Sequence, residues 1–200
     1  MDNENVCNVI QDTLNDVLIF CTNSSGGIKR NTLNQPHDIR HRYGRYMNSK
    51  CVQKCVDLIK TNLYADYMES GWGWSNDDKR KEIVEHNNHA ILLEDNVQDI
   101  MGFVLFDFEK CETTRKPILY CSELHVSPYY VKLGYGSLLA DIIEKIAYTT
   151  KQTKIVLTVF KSNMVAISFY IKRGYKTDVT DPFFHKKKCT YNILSKEIIK

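Results

Sequence analysis

Two apolar runs bracket a pair of glycines, and that order restricts the folds open to this chain. The first run, Pro117 to Val126, leads into Val131-Lys132-Leu133-Gly134-Tyr135-Gly136, and an amphipathic stretch starts at once. There Leu138, Leu139, Ile142, Ile143 and Ile146 share one helical face, with Asp141, Glu144 and Lys145 turned away. A β-branched run, Lys154 to Phe160, then reads as a buried strand. After it Asn163 opens a second helix that stops at Gly174. A lone G-x-G also simply makes tight turns. At a strand-to-helix junction it leaves backbone N–H groups aimed at one spot, where the helix dipole adds partial positive charge, so the junction is a ready anion cradle.

Upstream, Val6, Ile10, Leu14, Val17 and Leu18 recur at helical spacing within residues 5–20, and residues 21–36 read as a turn-rich connector. His37 to Tyr46 alternates His and Arg, either a solvated basic edge or loop or a phosphate contact. Lys50 to Glu69 reads as a helix with Val52, Val56, Ile59 and Leu63 as its apolar stripe. Asp77 to His86 reads as a charged helix that Asp77 helps to cap. Strands are expected at His89–Glu94, Ile100–Glu109 and Pro117–Val126, and final strands at Lys176–Val179 and Cys189–Ile198. Antiparallel strands followed by one parallel crossover give an α+β domain: a mixed, mostly antiparallel sheet flanked by helices. We place that domain at residues 46–200, after an N-terminal extension over 1–45.

At 200 residues and 43% apolar content, the chain can bury one substantial core. No apolar run approaches the ~20 residues needed to span a bilayer, so no membrane association is expected. The first residues, Met-Asp-Asn-Glu-Asn, do not resemble a signal or transit peptide. Its 27 basic and 24 acidic residues leave a net charge of +3, no footprint of direct nucleic-acid binding. Seven cysteines without a C-x-x-C argue against a disulfide scaffold or structural zinc, and we expect no metal. Cys51 and Cys55, four apart, read as ordinary half-buried thiols, and the compartment is expected to be reducing.

Glu123 stands out inside its strand. Carboxylates are depleted in apolar strands and costly to bury, so it is either a functional group or a salt-bridged structural one. Strict alternation puts Cys121, Glu123 and His125 on one face. Asp107 and Glu109 also share a face, where two carboxylates repel unless a cation lies between them; a solvated strand face is the alternative.

The order strand, G-x-G, helix, strand, then Asn163, Ala166, Phe169, Tyr170, Gly174 and Tyr175, resembles the acetyl-CoA-binding core of the GCN5-related N-acetyltransferase superfamily. The loop of that superfamily opens on Gln or Arg, where this chain has Val131. Other segments are similar to the N-terminal acetyltransferase D (NatD) family: Trp72-Gly-Trp74 after Tyr67, Phe106 to Glu109, Leu119 to Glu123, Leu157 to Lys161, and Cys189 to Ser195. Ser122 stands where NatD members carry tyrosine.

The resemblance implies acetyl transfer from acetyl-CoA to the free N-terminal serine of core histones beginning Ser-Gly-Arg-Gly. By the same resemblance Glu123 is the base, with His125 as a second candidate, and Tyr170 protonates the departing thiolate. Tyr170 as a helix-face aromatic packing on the sheet is the plainer alternative. His125, Val126, Ser127, Leu133, Gly134, Tyr135, Gly136, Ser137, Leu138 and Asn163 would hold acetyl-CoA. Tyr67, Trp72, Asp107, Glu109, Tyr120, Ser122, Thr158, Tyr191 and Ile193 would enclose the peptide, while Trp74 reads as core. A monomer in cytoplasm and nucleus, with histone tails as its partners, completes the expectation. The alternatives are an acetyltransferase for lysine or small-molecule amines, and a non-catalytic module that binds acyl-CoA or histone tails.

Overall fold

The chain runs α1 (Asn3–Asn23), β1 (Asp38–Tyr43), α2 (Ser49–Glu69), α3 (Asn76–Val84), β2 (His89–Glu94), β3 (Ile100–Lys110), β4 (Pro117–Val126), α4 (Tyr135–Thr149), β5 (Lys154–Phe160), α5 (Met164–Lys172), β6 (Lys176–Thr177) and β7 (Tyr191–Glu197). The structure is a computed structural model that describes residues 3–23, 38–85, 88–185 and 189–198, with the side chains of 3–5 and 17–23 outside that description. The expected connector at 21–36 falls mostly outside the described residues, as do His37 and the side chains of Val17 and Leu18.

The seven strands among the described residues form one sheet in the order β1-β2-β3-β4-β5-β7-β6. Pairing is antiparallel except between β4 and β5, which are joined by the crossover through α4. One face of the sheet carries α1, α4 and α5. Val6, Ile10 and Leu14 of α1 pack there with Leu139, Ile142 and Ile146 of α4 and Tyr170 of α5. The opposite face is covered by Val52, Cys55, Val56 and Ile59 of α2 and Ile83 of α3, which meet Phe103 and Leu105.

Of the basic stretch, Asp38–Tyr43 is an edge strand, the first of the alternatives expected for it, and Gly44–Tyr46 is a 3-10 turn. β1 pairs with β2 along its whole length and forms an edge of the sheet, with Arg40 bonded to Asp38 and Glu94. A charged strand suits an edge because it discourages pairing with another chain. Residues on the extension side of position 45 thus share the sheet, and α1 shares its core. The cap of α3 also differs from expectation: Ser75, not Asp77, accepts from the amide of Asp78, at 3.2 Å. At the C-terminal end, β6 and β7 are shorter than the expected strands.

Candidate active site

Two irregularities of the sheet create the site. The first is a bulge: Leu105 lies opposite Glu123 while Phe106 lies opposite Cys121, so Ser122 is the extra residue of β4. The inserted residue breaks the alternation. Cys121 keeps to the α4 face, packed in the core beneath Tyr170, while Glu123 and His125 point to the α2–α3 face. The expectation that all three share one face is therefore corrected. The second irregularity is a split. β4 and β5 pair only from Leu119–Ile155 to Cys121–Leu157; beyond that, Thr158 to Phe160 pair with β7 alone. The parted strands leave a slot lined by backbone groups that an extended ligand can satisfy.

The slot belongs to a cleft of about 1100 Å³. At one end lies the start of α4. Gly134, its N-cap residue, has φ +93°, a left-handed conformation that glycine adopts without strain, and it has no side chain to cap the first amides of the helix. At Gly136 an added Cβ would lie 3.7 Å from Val126 Cγ2 and 3.8 Å from Phe169 Cε2, so anything larger extends into the cleft. Ser137, Lys132 and Asn163 also line this end. Amides, helix dipole and a lysine together suit a pyrophosphate, so these residues fit acetyl-CoA.

The side chains of four of the expected cofactor residues, Ser127, Leu133, Tyr135 and Leu138, lie outside the lining of the cleft. Leu133, Tyr135 and Leu138 pack into the core, and the Leu138 amide is spent on Gly134 O at 3.0 Å. The buried Ser127 gives its amide to Met101 O at 2.8 Å. His125, Val126, Gly134, Gly136, Ser137 and Asn163 do line the cleft. Asn163 also caps α5, accepting from the Ala166 amide at 3.0 Å.

At the centre, Glu123 sits in a hydrogen-bonded chain. Its Oε2 is 2.6 Å from His125 Nε2 and its Oε1 3.1 Å from Lys79 Nζ. Burial alone would raise the Glu123 pKa, but His125 and then Lys79 outweigh it and hold the carboxyl below its ordinary value. Lys79 and Asn62 escaped the sequence reading. The only local signal was the i,i+3 spacing of Lys79 and Glu82; Asn62 left none. Tyr170 lines the cleft from the other side, and burial raises its pKa well above the usual value, so it keeps a proton to donate.

The far end is aromatic. Trp72 lies 6.2 Å from Tyr67, 5.3 Å from Phe160 and 5.5 Å from Tyr191 between ring centroids, all edge-on. Tyr120 bonds to Thr158 at 3.2 Å, and Ser122 and Ile193 complete the wall. Trp74 packs against the α2–α3 core and donates to Asn76 at 2.6 Å. Asp107 and Glu109 line the same end, both with pKa values raised, first by burial. Each also feels other carboxylates, Glu85 beside Asp107 and Asp107 itself beside Glu109.

A glycine-opened anion cradle, a slot between parted strands and a buried carboxylate facing a buried phenol define a coenzyme-A-dependent acyltransferase. A family model for the acetyltransferase (GNAT) family matches residues 60–175, and the chain belongs to that family. It uses acetyl-CoA as co-substrate. Three solved structures share the fold. PaiA N-acetyltransferase from Thermoplasma acidophilum, in complex with coenzyme A, superposes with a TM-score of 0.58 at 16% identity, over 81% of this chain and 99% of its own. NAA60 from Arabidopsis thaliana, in complex with a bisubstrate analogue, gives 0.59 at 13% identity over 80% and 98%. Tetrahymena GCN5 gives 0.60 at 15% identity over 82% and 96%. At these identities the likeness is one of fold.

Proposed function

We propose that this chain is an Nα-acetyltransferase of the NatD type, acetylating the free N-terminal serine of core histone chains that begin Ser-Gly-Arg-Gly. The observation that carries the reading is the aromatic end of the cleft, where Tyr67, Trp72, Phe160 and Tyr191 pack edge-on beside Asp107 and Glu109. A small Ser-Gly terminus suits aromatic walls, and an arginine at the third position suits the half-buried Asp107 or the more exposed Glu109, which it can grip with two parallel hydrogen bonds.

In this reading the neutral α-amine attacks the thioester carbonyl of acetyl-CoA. The N–C bond forms, the amine proton passes to Glu123, the C–S bond breaks, and coenzyme A leaves with a proton from Tyr170. An α-amine, with a pKa near ~8 against ~10.4 for lysine, needs only a modest base. A histone substrate goes with residence in cytoplasm and nucleus.

The test is a panel of peptides with free and blocked N-termini, incubated with acetyl-CoA and read by mass spectrometry. Acetyl on the α-amine of Ser-Gly-Arg-Gly peptides is expected. Efficient acetylation of a peptide whose α-amine is already blocked would sink the reading and indicate a lysine acetyltransferase.

A further inference from the structure

Lys79 lies on α3, the most highly charged helix among the described residues, yet it is only 8% exposed. Its ammonium is 2.5 Å from Glu82 Oε2 and 3.1 Å from Glu123 Oε1, and it lies over the ring of Tyr67 at 5.0 Å. Burying a lysine is costly unless its charge is matched, and α3 brings this one to the carboxylate at the centre of the cleft. We propose that Lys79 is a positioning residue for acetyl transfer: its ammonium, anchored by Glu82, aims and grips the Glu123 carboxylate and so tunes the site to chain N-termini over lysine side chains. The proposal rests on Glu123 being the base.

The surroundings of Glu123 single out Lys79. Tyr67 faces it from α2, Lys79 and Glu82 from α3, Tyr120, Cys121 and His125 from its own strand, and Tyr170 from α5. Burial holds Tyr67, Tyr120, Cys121 and Tyr170 in their neutral forms. The His125 hydrogen bond and the Lys79 ammonium are left to oppose burial and favour the ionised carboxylate, and of the two Lys79 is the cation brought in by another element. A carboxylate gripped in this way takes a proton readily only after the N–C bond has begun to form and the N–H has become acidic. The amine must then arrive already neutral. At pH 7.5 about 24% of an α-amine with pKa ~8 is neutral, against roughly 0.1% of a lysine side chain. Loosening the grip makes Glu123 a stronger base and narrows that difference.

The experiment compares wild type with Lys79→Met, Lys79→Gln and Lys79→Arg. The Glu123 carboxyl is titrated by carbon-13 NMR in the free protein, and kcat/KM is measured for α-amine and lysine peptides across pH. Removing an opposite charge at this distance is expected to raise the Glu123 titration by about one pH unit or more in the two neutral variants. The acid limb of the rate profile moves with it, the α-over-lysine preference falls at least about tenfold, and Lys79→Arg retains the wild-type values. Lys79→Gln keeps a donor in place, so the comparison survives a Met variant that does not fold. An unmoved Glu123 titration in a folded neutral variant overturns the proposal, as does an unchanged preference. The NMR titration needs no substrate, so a failure of the N-terminal reading is seen separately, as wild-type protein that acetylates α-blocked peptides efficiently or leaves the whole panel unacetylated.

Discussion

His125 Nε2 lies 2.6 Å from Glu123 Oε2, and the other nitrogen of the same ring is also engaged, with Nδ1 3.3 Å from Asn62 Nδ2. Asn62 Nδ2 donates to Val126 O at 3.1 Å, which sets the orientation of the amide. Nδ1 is then the acceptor, and the ring proton resides on Nε2, directed at Glu123. With both nitrogens occupied, His125 orients the carboxylate and has no free lone pair for a substrate amine.

Glu123→Gln should therefore lower kcat by about 10²–10⁴-fold, the range of a general base, and leave acetyl-CoA binding intact. His125→Gln should lower it less. Steady-state kinetics with calorimetric acetyl-CoA titrations check both. A kcat for Glu123→Gln within about threefold of wild type would place proton removal elsewhere.

Gly136→Val should weaken acetyl-CoA binding at least about tenfold, ~1.4 kcal/mol, while leaving the melting temperature nearly unchanged. The first added carbon makes only ordinary contacts, 3.7 Å from Val126 and 3.8 Å from Phe169. The further methyls would intrude where a pyrophosphate held by the α4 amides would lie. Unaltered affinity in the folded variant would move the cradle away from this turn.

Replacing the third-position arginine of a Ser-Gly-Arg-Gly peptide with alanine should cost about 1.5–3 kcal/mol in kcat/KM, the scale of a hydrogen bond to a charged group. Asp107→Asn and Glu109→Gln should each reduce the penalty for that replacement, because they remove the charge that reads the arginine. A double-mutant cycle between enzyme and peptide measures the coupling directly. Purely additive effects would mean that neither carboxylate contacts it.

The half-buried His41 and the buried His89, with Nε2 and Nδ1 3.0 Å apart, should make stability depend on pH. Burial lowers the pKa of His41 to about 4, with Arg42 adding to it, and that of His89 to about 3, with His41 and Arg45 adding to it. Unfolded histidines titrate near ~6.5, so between that value and the folded ones the unfolded chain binds more protons. Stability from this pair is complete above about pH 6.5 and falls as the pH drops towards 4. Thermal melts across that range should show a shallower slope for His89→Phe; equal slopes would assign the dependence to other groups.

Much of the architecture follows from local patterns. Hydrophobic periodicity and turn residues mark β2 and β4 at their observed ends and bring β3 and α2 within one residue, because burial on a pleat or a helix face repeats over a few residues. The glycine junction at the start of α4 is equally local, since a positive φ at Gly134 is a property of one residue. The tertiary structure alone decided the bulge at Ser122, because register depends on which residues of β3 lie opposite, and that bulge separates Cys121 from Glu123 and His125. It also decided the fate of Lys79. On α3 this residue reads as one more solvated charge, but its helix is held against the sheet by packing between distant segments, and its partner Glu123 lies 44 residues further along the chain. No local period records a contact of that range; it arises when two faces, each patterned for burial on its own account, close over the same charge.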